Sequence, residues 1–135
     1  ALDQRCLEAN QRRPETDEDR AVVRAGWVLT GEYQAGWGIK LVTGATGFDG
    51  MCRWMGFQVF AFVDGLYAGT LSPEVMDSRT DGVVFDMRVL GDGRVAATFV
   101  RYAPGDPFCC PSLPSVRVRY RVDRSNGAPV VQREP

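Results

Sequence analysis

Four cysteines are the residues whose chemistry the sequence indicates most directly. They are Cys6, Cys52 and the adjacent pair Cys109 and Cys110, and their spacing contains neither a C-x-x-C pair nor a histidine that could complete a zinc site. We therefore expect disulfide bonds, which indicate an oxidising compartment. Because a bond between adjacent cysteines is strained, we expect Cys109 and Cys110 to pair separately with Cys6 and Cys52.

A redox-active thiol pair is the alternative interpretation of Cys109 and Cys110. Such a pair needs a helix N-terminus or a neighbouring cation to stabilise the thiolate. The sequence around the pair offers neither, and the nearest charged residue is the acid Asp106. The pattern favours structural disulfides, with a thiol oxidoreductase as the enzyme alternative.

The chain contains no histidine, which excludes many common catalytic sites. Ser-His-Asp and Cys-His nucleophiles, histidine-ligated zinc and a histidine proton shuttle all require that residue. The single lysine, Lys40, has no serine three residues before it, so the S-x-x-K pattern is absent as well. We predict a protein that is not an enzyme and needs no cofactor. A hydrolase that uses two carboxylates is the alternative. The two carboxylates of such an enzyme meet only in the folded protein, so no characteristic spacing in the sequence would reveal them.

Residues 77–82 resemble the start of a calcium-binding loop. Asp77 and Asp81 occupy the first and fifth positions and a glycine follows, but Arg79 and Arg88 stand where the third and twelfth ligands belong. We therefore predict no metal site there and a structural connection between two hairpins. Asp77, Arg79 and Asp81 also form a candidate binding surface, because exposed polar loops often carry function.

Arginines alternate along one stretch near the C-terminus. Arg117, Arg119 and Arg121 project from the same face of a predicted strand, and Arg88 or Arg101 would extend the row if neighbouring strands pair in register. A row of guanidinium groups suits phosphate or carboxylate groups on a polymer, a lipid or an acidic protein. These three arginines are candidate anion-binding residues, and an ordinary exposed strand face with interspersed acids is the alternative.

Length and composition are those of one globular domain. The 135 residues are 44% hydrophobic and 24% charged, which is close to the average for folded domains. We predict a single domain over residues 1–135, with a polar N-terminal extension at 1–16 and a globular part at 17–135. The formal net charge of −1 gives no overall reason to bind nucleic acid.

Helix signals come first in the chain and strand signals follow. A capping residue and acids in the first turn predict a helix over residues 17–26, and a second, shorter helix is expected within residues 2–11. Strands are predicted at 38–43, 57–63, 66–71, 83–90, 95–102, 116–122 and 130–131. These elements predict an α+β domain in which an antiparallel sheet of about six strands carries one or two N-terminal helices on one face. A small all-β barrel is the alternative.

The most specific local signal is the Asp64-Gly65 pair between two apolar stretches. Asp-Gly supplies the positive φ angles of a two-residue type I′ turn, so a β-hairpin is predicted with residue 63 opposite residue 66. In that register Phe62 faces Tyr67 and Phe60 faces Gly69, so an aromatic ring covers the bare glycine.

Three motifs together resemble those of a known family. They are the hairpin sequence of residues 60–70, the stretch of residues 102–112 that contains Asp-Pro-Phe-Cys-Cys-Pro-Ser, and the alternating Val-x-Val-x-Tyr strand at 116–120. Between residues 50 and 122 the chain resembles the bacterial LppP/LprE-type lipoproteins. The resemblance implies a cell-envelope or secreted domain, with no catalytic residues to carry over.

Location and partners follow from the same resemblance. We expect an extracytoplasmic protein, in the periplasm, at the cell surface or secreted. No stretch of about 18 apolar residues could span a membrane, and the chain reads as a mature fragment that follows a removed targeting segment. Many family members are held by a lipidated cysteine, so membrane association is expected only through an anchor outside the given chain.

The predicted function is the non-catalytic binding of a protein or another cell-envelope component such as the cell wall. Nucleic acid and metal are not expected as partners. Binding of an anionic polymer through Arg117, Arg119 and Arg121 is an alternative, as are the two enzyme classes above.

Overall fold

Two helices and ten strands form the described part of the chain, which a computed structural model gives for residues 4–31, 33–77, 84–107 and 110–135. The helices are α1 (Gln4–Asn10) and α2 (Asp17–Arg24). The strands are β1 (Val28–Leu29), β2 (Gln34–Gly36), β3 (Ile39–Ala45), β4 (Gly56–Val63), β5 (Leu66–Thr70), β6 (Met76–Asp77), β7 (Val84–Leu90), β8 (Arg94–Arg101), β9 (Leu113–Asp123) and β10 (Val130–Arg133). Among these residues no helix is both long and apolar enough to cross a bilayer.

The strands form two antiparallel sheets, which we call the first sheet and the second sheet. In the first sheet β1, β3, β4 and β5 follow one another, while β2 also pairs with β3 and β6 also pairs with β4. The second sheet has the order β10-β9-β8-β7. The predicted α+β class with a six-stranded antiparallel sheet is confirmed, and the described strands close no barrel. The additional four-stranded sheet was not foreseen, because alternation identifies a strand without identifying its neighbours.

The main core lies between the two sheets. Leu41, Phe57 and Val59 of the first sheet belong to the same buried cluster as Val95 and Phe99 of the second sheet. A smaller cluster on the opposite face of the first sheet joins that sheet to α2. Strand β4 is thus covered on both faces, which explains why its sequence is an apolar run, interrupted only by Gln58, rather than an alternating one.

Helix α2 begins at a capping box and packs on the first sheet. The Thr16 side chain accepts a hydrogen bond from the Asp19 amide, and the Asp19 carboxylate accepts one from the Thr16 amide. The helix ends at Arg24, and Gly26 follows with a φ of 100°, a conformation that does not continue a helix. Val22 lies in the cluster against the sheet, so the expected place of this helix is confirmed.

The hairpin of β4 and β5 forms at the predicted turn. Asp64 and Gly65 have φ angles of 51° and 82°, residue 63 pairs with residue 66, and Phe62 pairs with Tyr67 at a ring separation of 5.7 Å. The predicted pairing of Phe60 with Gly69 is wrong. The register shifts between Ala61 and Phe62, so Gly69 lies opposite Ala61. An extra residue on β5 causes the shift, as in a β-bulge, and the sequence carries no separate signal for it.

A disulfide bond between Cys6 and Cys52 connects α1 to the loop that precedes β4. Their Cα atoms are 4.9 Å apart. The predicted pairing of these two cysteines with Cys109 and Cys110 is therefore wrong, because α1 packs beside the loop and brings Cys6 to Cys52 instead. Cys110 is also disulfide-bonded, and Cys109 lies outside the described residues.

Candidate functional site

Strand β9 exposes its arginines and buries the residues between them. Val118 and Tyr120 are 8% and 4% exposed and point into the core, whereas Arg117, Arg119 and Arg121 lie on the outer side of the second sheet. The predicted placement of these three arginines on one strand face is confirmed. Their role in binding stays a prediction.

The register of the second sheet adds two more arginines to that side. Arg94 of β8 lies directly opposite Arg121, and Ala96 lies between Arg119 on one neighbouring strand and Arg88 on the other. We call this surface the arginine face and define it as Arg88, Arg94, Arg117, Arg119 and Arg121. Arg88 thus extends the row, as expected if the strands pair in register.

Charge on the arginine face is only partly compensated. Arg88 pairs with Asp86 at 3.3 Å, and Arg94 lies 3.6 Å from Glu134. The side chains of the three β9 arginines form no hydrogen bond or ion pair with the described residues. Five guanidinium groups therefore share this surface with two paired carboxylates, which leaves a local excess of positive charge.

One further acid borders the arginine face. Asp123, at the end of β9, accepts hydrogen bonds from Ser125, which lower the pKa of its carboxyl group, and the charge of Arg121 lowers it further. The Ser125 amide is 2.9 Å from the carboxylate. This acid is therefore ionised beside the end of the row, but it already accepts a backbone hydrogen bond.

Arg101 does not belong to the arginine face. Arg101 alternates along β8 with the buried residues Val95, Ala97 and Phe99, so it lies on the inner side of the sheet. There it lines a groove of about 420 Å³ between the two sheets, together with Arg133 of β10. The sequence suggested Arg101 as an extension of the row, and that alternative is wrong because alternation along β8 puts Arg101 on the face of Val95 and Phe99, opposite to that of Arg94.

The predicted surface loop is only partly described. Asp77 is exposed at the end of β6, where it pairs with Gly56 of β4. Arg79 and Asp81 lie outside the described residues, so the candidate binding surface stays a prediction. Within the described ranges no group of three or more cysteines and acids is placed to hold a metal ion.

A buried charged pair anchors the segment before α2, and sequence reasoning missed it. Both oxygens of Asp19 accept hydrogen bonds from Arg12 at 2.7 Å, and the Asp19 side chain is fully buried. Burial would raise the pKa of Asp19, but Arg12 and the amides of Glu15 and Thr16 hold the pKa at about 2. The capping-box spacing of Thr16 and Asp19 was the only local signal for this site.

Tyr33 lies next to that pair, between two cations. The charged end of Arg12 is 5.5 Å from the centre of the Tyr33 ring, and the Lys40 ammonium is 5.3 Å from it. Lys40 also forms an ion pair with Glu18 of α2 at 3.0 Å. These contacts fasten the N-terminal segment and α2 to the first sheet, so this cluster has a structural role.

Asp106 organises the loop that contains the cysteine pair. One oxygen of its carboxylate accepts hydrogen bonds from the Ala103 amide at 2.7 Å and from both the amide and the hydroxyl of Ser112 at 2.8 Å. The two ends of the loop are thereby held together. Asp106 and Ser112, which flank the cysteines in the unusual motif, close this loop.

The fold and the arginine face define a class: a two-sheet α+β domain with a helix on one side and a basic strand face on the other. The model of the LppP/LprE lipoprotein family matches residues 32–125, which is most of the chain. The chain belongs to this lipoprotein family. No curated protein and no solved structure shows significant similarity to it.

Proposed function

We propose that this chain is a non-catalytic, extracytoplasmic domain of the bacterial cell envelope that binds an anionic polymer of the envelope through the arginine face. The observation that carries the proposal is the row of Arg117, Arg119 and Arg121, whose side chains have no ionic or hydrogen-bonding partner among the described residues. A guanidinium group presents several donors in a fixed plane, which suits carboxylate and phosphate groups.

The spacing of the row supports a polymer rather than a single ion. Alternate residues of a strand are about 6.7 Å apart. Three guanidinium groups at that interval can each contact a separate charge on an extended chain. Arg88 and Arg94 on the neighbouring strands broaden the surface in the second direction.

The stability of the fold does not explain this arrangement. Arg94 and Arg121 lie directly opposite each other on neighbouring strands, and like charges in that position destabilise a sheet. Of the two, only Arg94 forms an ion pair with a described residue, at 3.6 Å from Glu134. A bound anionic ligand would offset the repulsion between the two arginines by supplying negative charge at this position.

Membership in the lipoprotein family supports a location in the cell envelope. The Cys6–Cys52 disulfide supports an oxidising compartment, because such bonds are rare in the cytosol. The absence of histidine supports a role without catalysis.

Retention on immobilised heparin, used as a model polyanion, tests the proposal. The formal net charge of the chain is −1, so retention at neutral pH requires a local basic surface. We expect the wild-type protein to be retained at low salt and to elute as salt is added. The variant Arg117→Ser/Arg119→Ser/Arg121→Ser should elute without retention.

A matched control removes three other exposed arginines, Arg13, Arg20 and Arg24, which lie in and before α2. The variant Arg13→Ser/Arg20→Ser/Arg24→Ser changes the net charge equally but leaves the arginine face intact. It should be retained as the wild type is. Equal loss of retention in both variants would show that only net charge matters and would refute the proposed surface.

A further inference from the structure

The groove between the two sheets is separate from the arginine face. It opens where β5 turns into the segment before β6, and the ends of β8 and β10 form its other side. Its volume of about 420 Å³ lies in the lower part of the range for small-molecule sites, which is about 300–1,000 Å³. The space is therefore sufficient for one ligand of modest size.

Apolar surface makes up about half of the exposed lining of the groove. Its lining includes Leu71 and Met76 from the first sheet side and Phe99, Val118 and Val131 from the second sheet. Each of these side chains belongs to the main core and is at most 8% exposed in the free domain. A ligand that reaches this surface must offer an apolar body, because it would displace water from hydrocarbon.

The charged groups that line the groove are all positive within the described residues. Arg101 and Arg133 line it, and no described carboxylate does. The Arg133 side chain forms no hydrogen bond or ion pair with the described residues. Arg133 of β10 lies directly opposite Tyr120 of β9, and both residues line the groove. Burial raises the pKa of the Tyr120 phenol, and the positive charge of Arg133 opposes that rise.

One wall of the groove is held in place by a buried glutamine. The side-chain amide of Gln58 donates hydrogen bonds to the carbonyl oxygens of Ser72 and Glu74, at 3.0 and 2.9 Å, and its oxygen accepts one from the Val59 amide at 3.0 Å. Gln58 is only 4% exposed. The segment that carries Leu71 and Ser72 is thus fixed before any ligand arrives, which lowers the entropic cost of binding.

We propose that this groove is a second binding site, which takes a small amphiphilic anion with its hydrocarbon body between the sheets and its charged group at Arg133. The apolar part of the lining selects the body of the ligand, and the Arg133 guanidinium group selects the sign of its charge. A fatty carboxylate of medium length has both properties.

Titration calorimetry with decanoate tests this site. We expect decanoate to bind, decanol to bind at least about tenfold more weakly because it lacks the charge, and acetate not to bind because it lacks the body. Failure of decanoate to bind, or equal affinity for decanol, would overturn the proposal.

Single substitutions locate the binding within the domain. Arg133→Gln removes a charge from the groove and should weaken decanoate binding about tenfold, since a charge-assisted hydrogen bond is lost. Arg24→Gln removes the same charge from the exposed end of α2, which contributes no residue to the groove, and should leave the affinity unchanged. Equal weakening by both substitutions would place decanoate outside the groove.

The variant Arg117→Ser/Arg119→Ser/Arg121→Ser distinguishes this site from the proposed polymer surface. It should still bind decanoate with wild-type affinity even where it has lost retention on heparin. Failure of one proposal is therefore visible independently of the other.

Discussion

Asp19 illustrates how a single residue can determine the stability of the N-terminal layer. Its carboxylate is fully buried, and both of its oxygens are bonded to Arg12, which also donates a hydrogen bond to the carbonyl oxygen of Gly31 at 2.6 Å. The Arg12–Asp19 pair thus connects the segment before α2, the first turn of α2 and the chain after β1. Removing the Asp19 carboxylate would leave the mostly buried Arg12 charge without its partner.

We predict that Asp19→Asn lowers the free energy of unfolding by about 3 kcal/mol, because breaking one side of a buried ion pair leaves an uncompensated charge. Urea denaturation measures the change. Asp17→Asn is the control: Asp17 also pairs with an arginine, Arg20 at 2.8 Å, but its side chain is 94% exposed, and little effect is expected. Equal effects of the two substitutions would contradict the structural role of the buried pair.

Low pH should destabilise the folded protein through protonation of Asp19. The pKa of Asp19 is about 2 in the folded protein, against an ordinary value of 3.8. A lowered folded-state pKa stabilises the protein fully above about pH 4, and this contribution is lost as the pH falls towards 2. The difference corresponds to about 2 kcal/mol. Urea denaturation at several pH values should show a decline in this window that is smaller in Asp19→Asn.

Individual residues also show the limits of sequence reasoning. Strict alternation from Val116 to Val122 correctly placed the exposed arginines, because a strand turns successive side chains to opposite faces. The Arg12–Asp19 pair could not be predicted, since its geometry depends on where the segment before α2 lies relative to the helix. The side of Arg101 was mispredicted for a different reason: alternation along β8 places it with Val95 and Phe99 on the inner face, and the prediction did not apply that alternation to it.

At the scale of elements, the Cys6–Cys52 bond joins α1 to the rest of the domain. The loop that carries Cys52 is shaped by Asp49, whose carboxylate accepts hydrogen bonds from the amides of Met51 and Arg53 at 2.8 and 2.9 Å. Helix α1 has only seven residues, too few to be stable in isolation. The disulfide and the packing around it therefore hold this helix in place.

We expect Cys6→Ser/Cys52→Ser to lower the free energy of unfolding by about 4 kcal/mol, the chain-entropy value for cysteines 46 residues apart. Urea denaturation of the variant and the wild type, both without reductant, measures this. Peptide mapping of unreduced wild-type protein should recover residues 6 and 52 in one linked peptide pair. Recovery of Cys6 linked to Cys109 or Cys110 would contradict the structure.

The packing of the α2 layer on the first sheet can be tested at Gly44 of β3. A Cβ atom there would lie 2.9 Å from the Cβ of Trp27 and 3.4 Å from the Phe60 ring. Trp27 packs edge-on against Phe60 at a ring separation of 5.0 Å, so it has little room to move. We predict that Gly44→Ala destabilises the domain by about 1–3 kcal/mol through overcrowding.

Gly50→Ala is the matched control, because a Cβ atom at Gly50 would have no neighbour within 4 Å. Thermal unfolding of both variants gives the comparison. A melting temperature for Gly44→Ala as high as that of Gly50→Ala would show that Trp27 does not pack closely on β3.

Considered as a whole, the molecule presents two positively charged sites on opposite sides of one sheet. The arginine face looks outward from β7, β8 and β9, and the groove with Arg101 and Arg133 lies on the inner side. Seven of the ten described strands, the main hairpin and the exposed row were predictable, because they depend on local patterns, whereas the short strands β1, β2 and β6 were not predicted. The groove was not predictable, because it exists only where residues 70–76 meet the ends of β8 and β10, which are distant in the sequence.

The most direct test of the central proposal is the mapping of amide chemical shifts as dextran sulfate is added to the isotope-labelled wild-type protein. We predict shifts concentrated at Arg88, Arg94, Arg117, Arg119 and Arg121, and none when uncharged dextran is added instead. Shifts centred on α2, or the same shifts with both polymers, would contradict the assignment of the arginine face as an anion-binding surface.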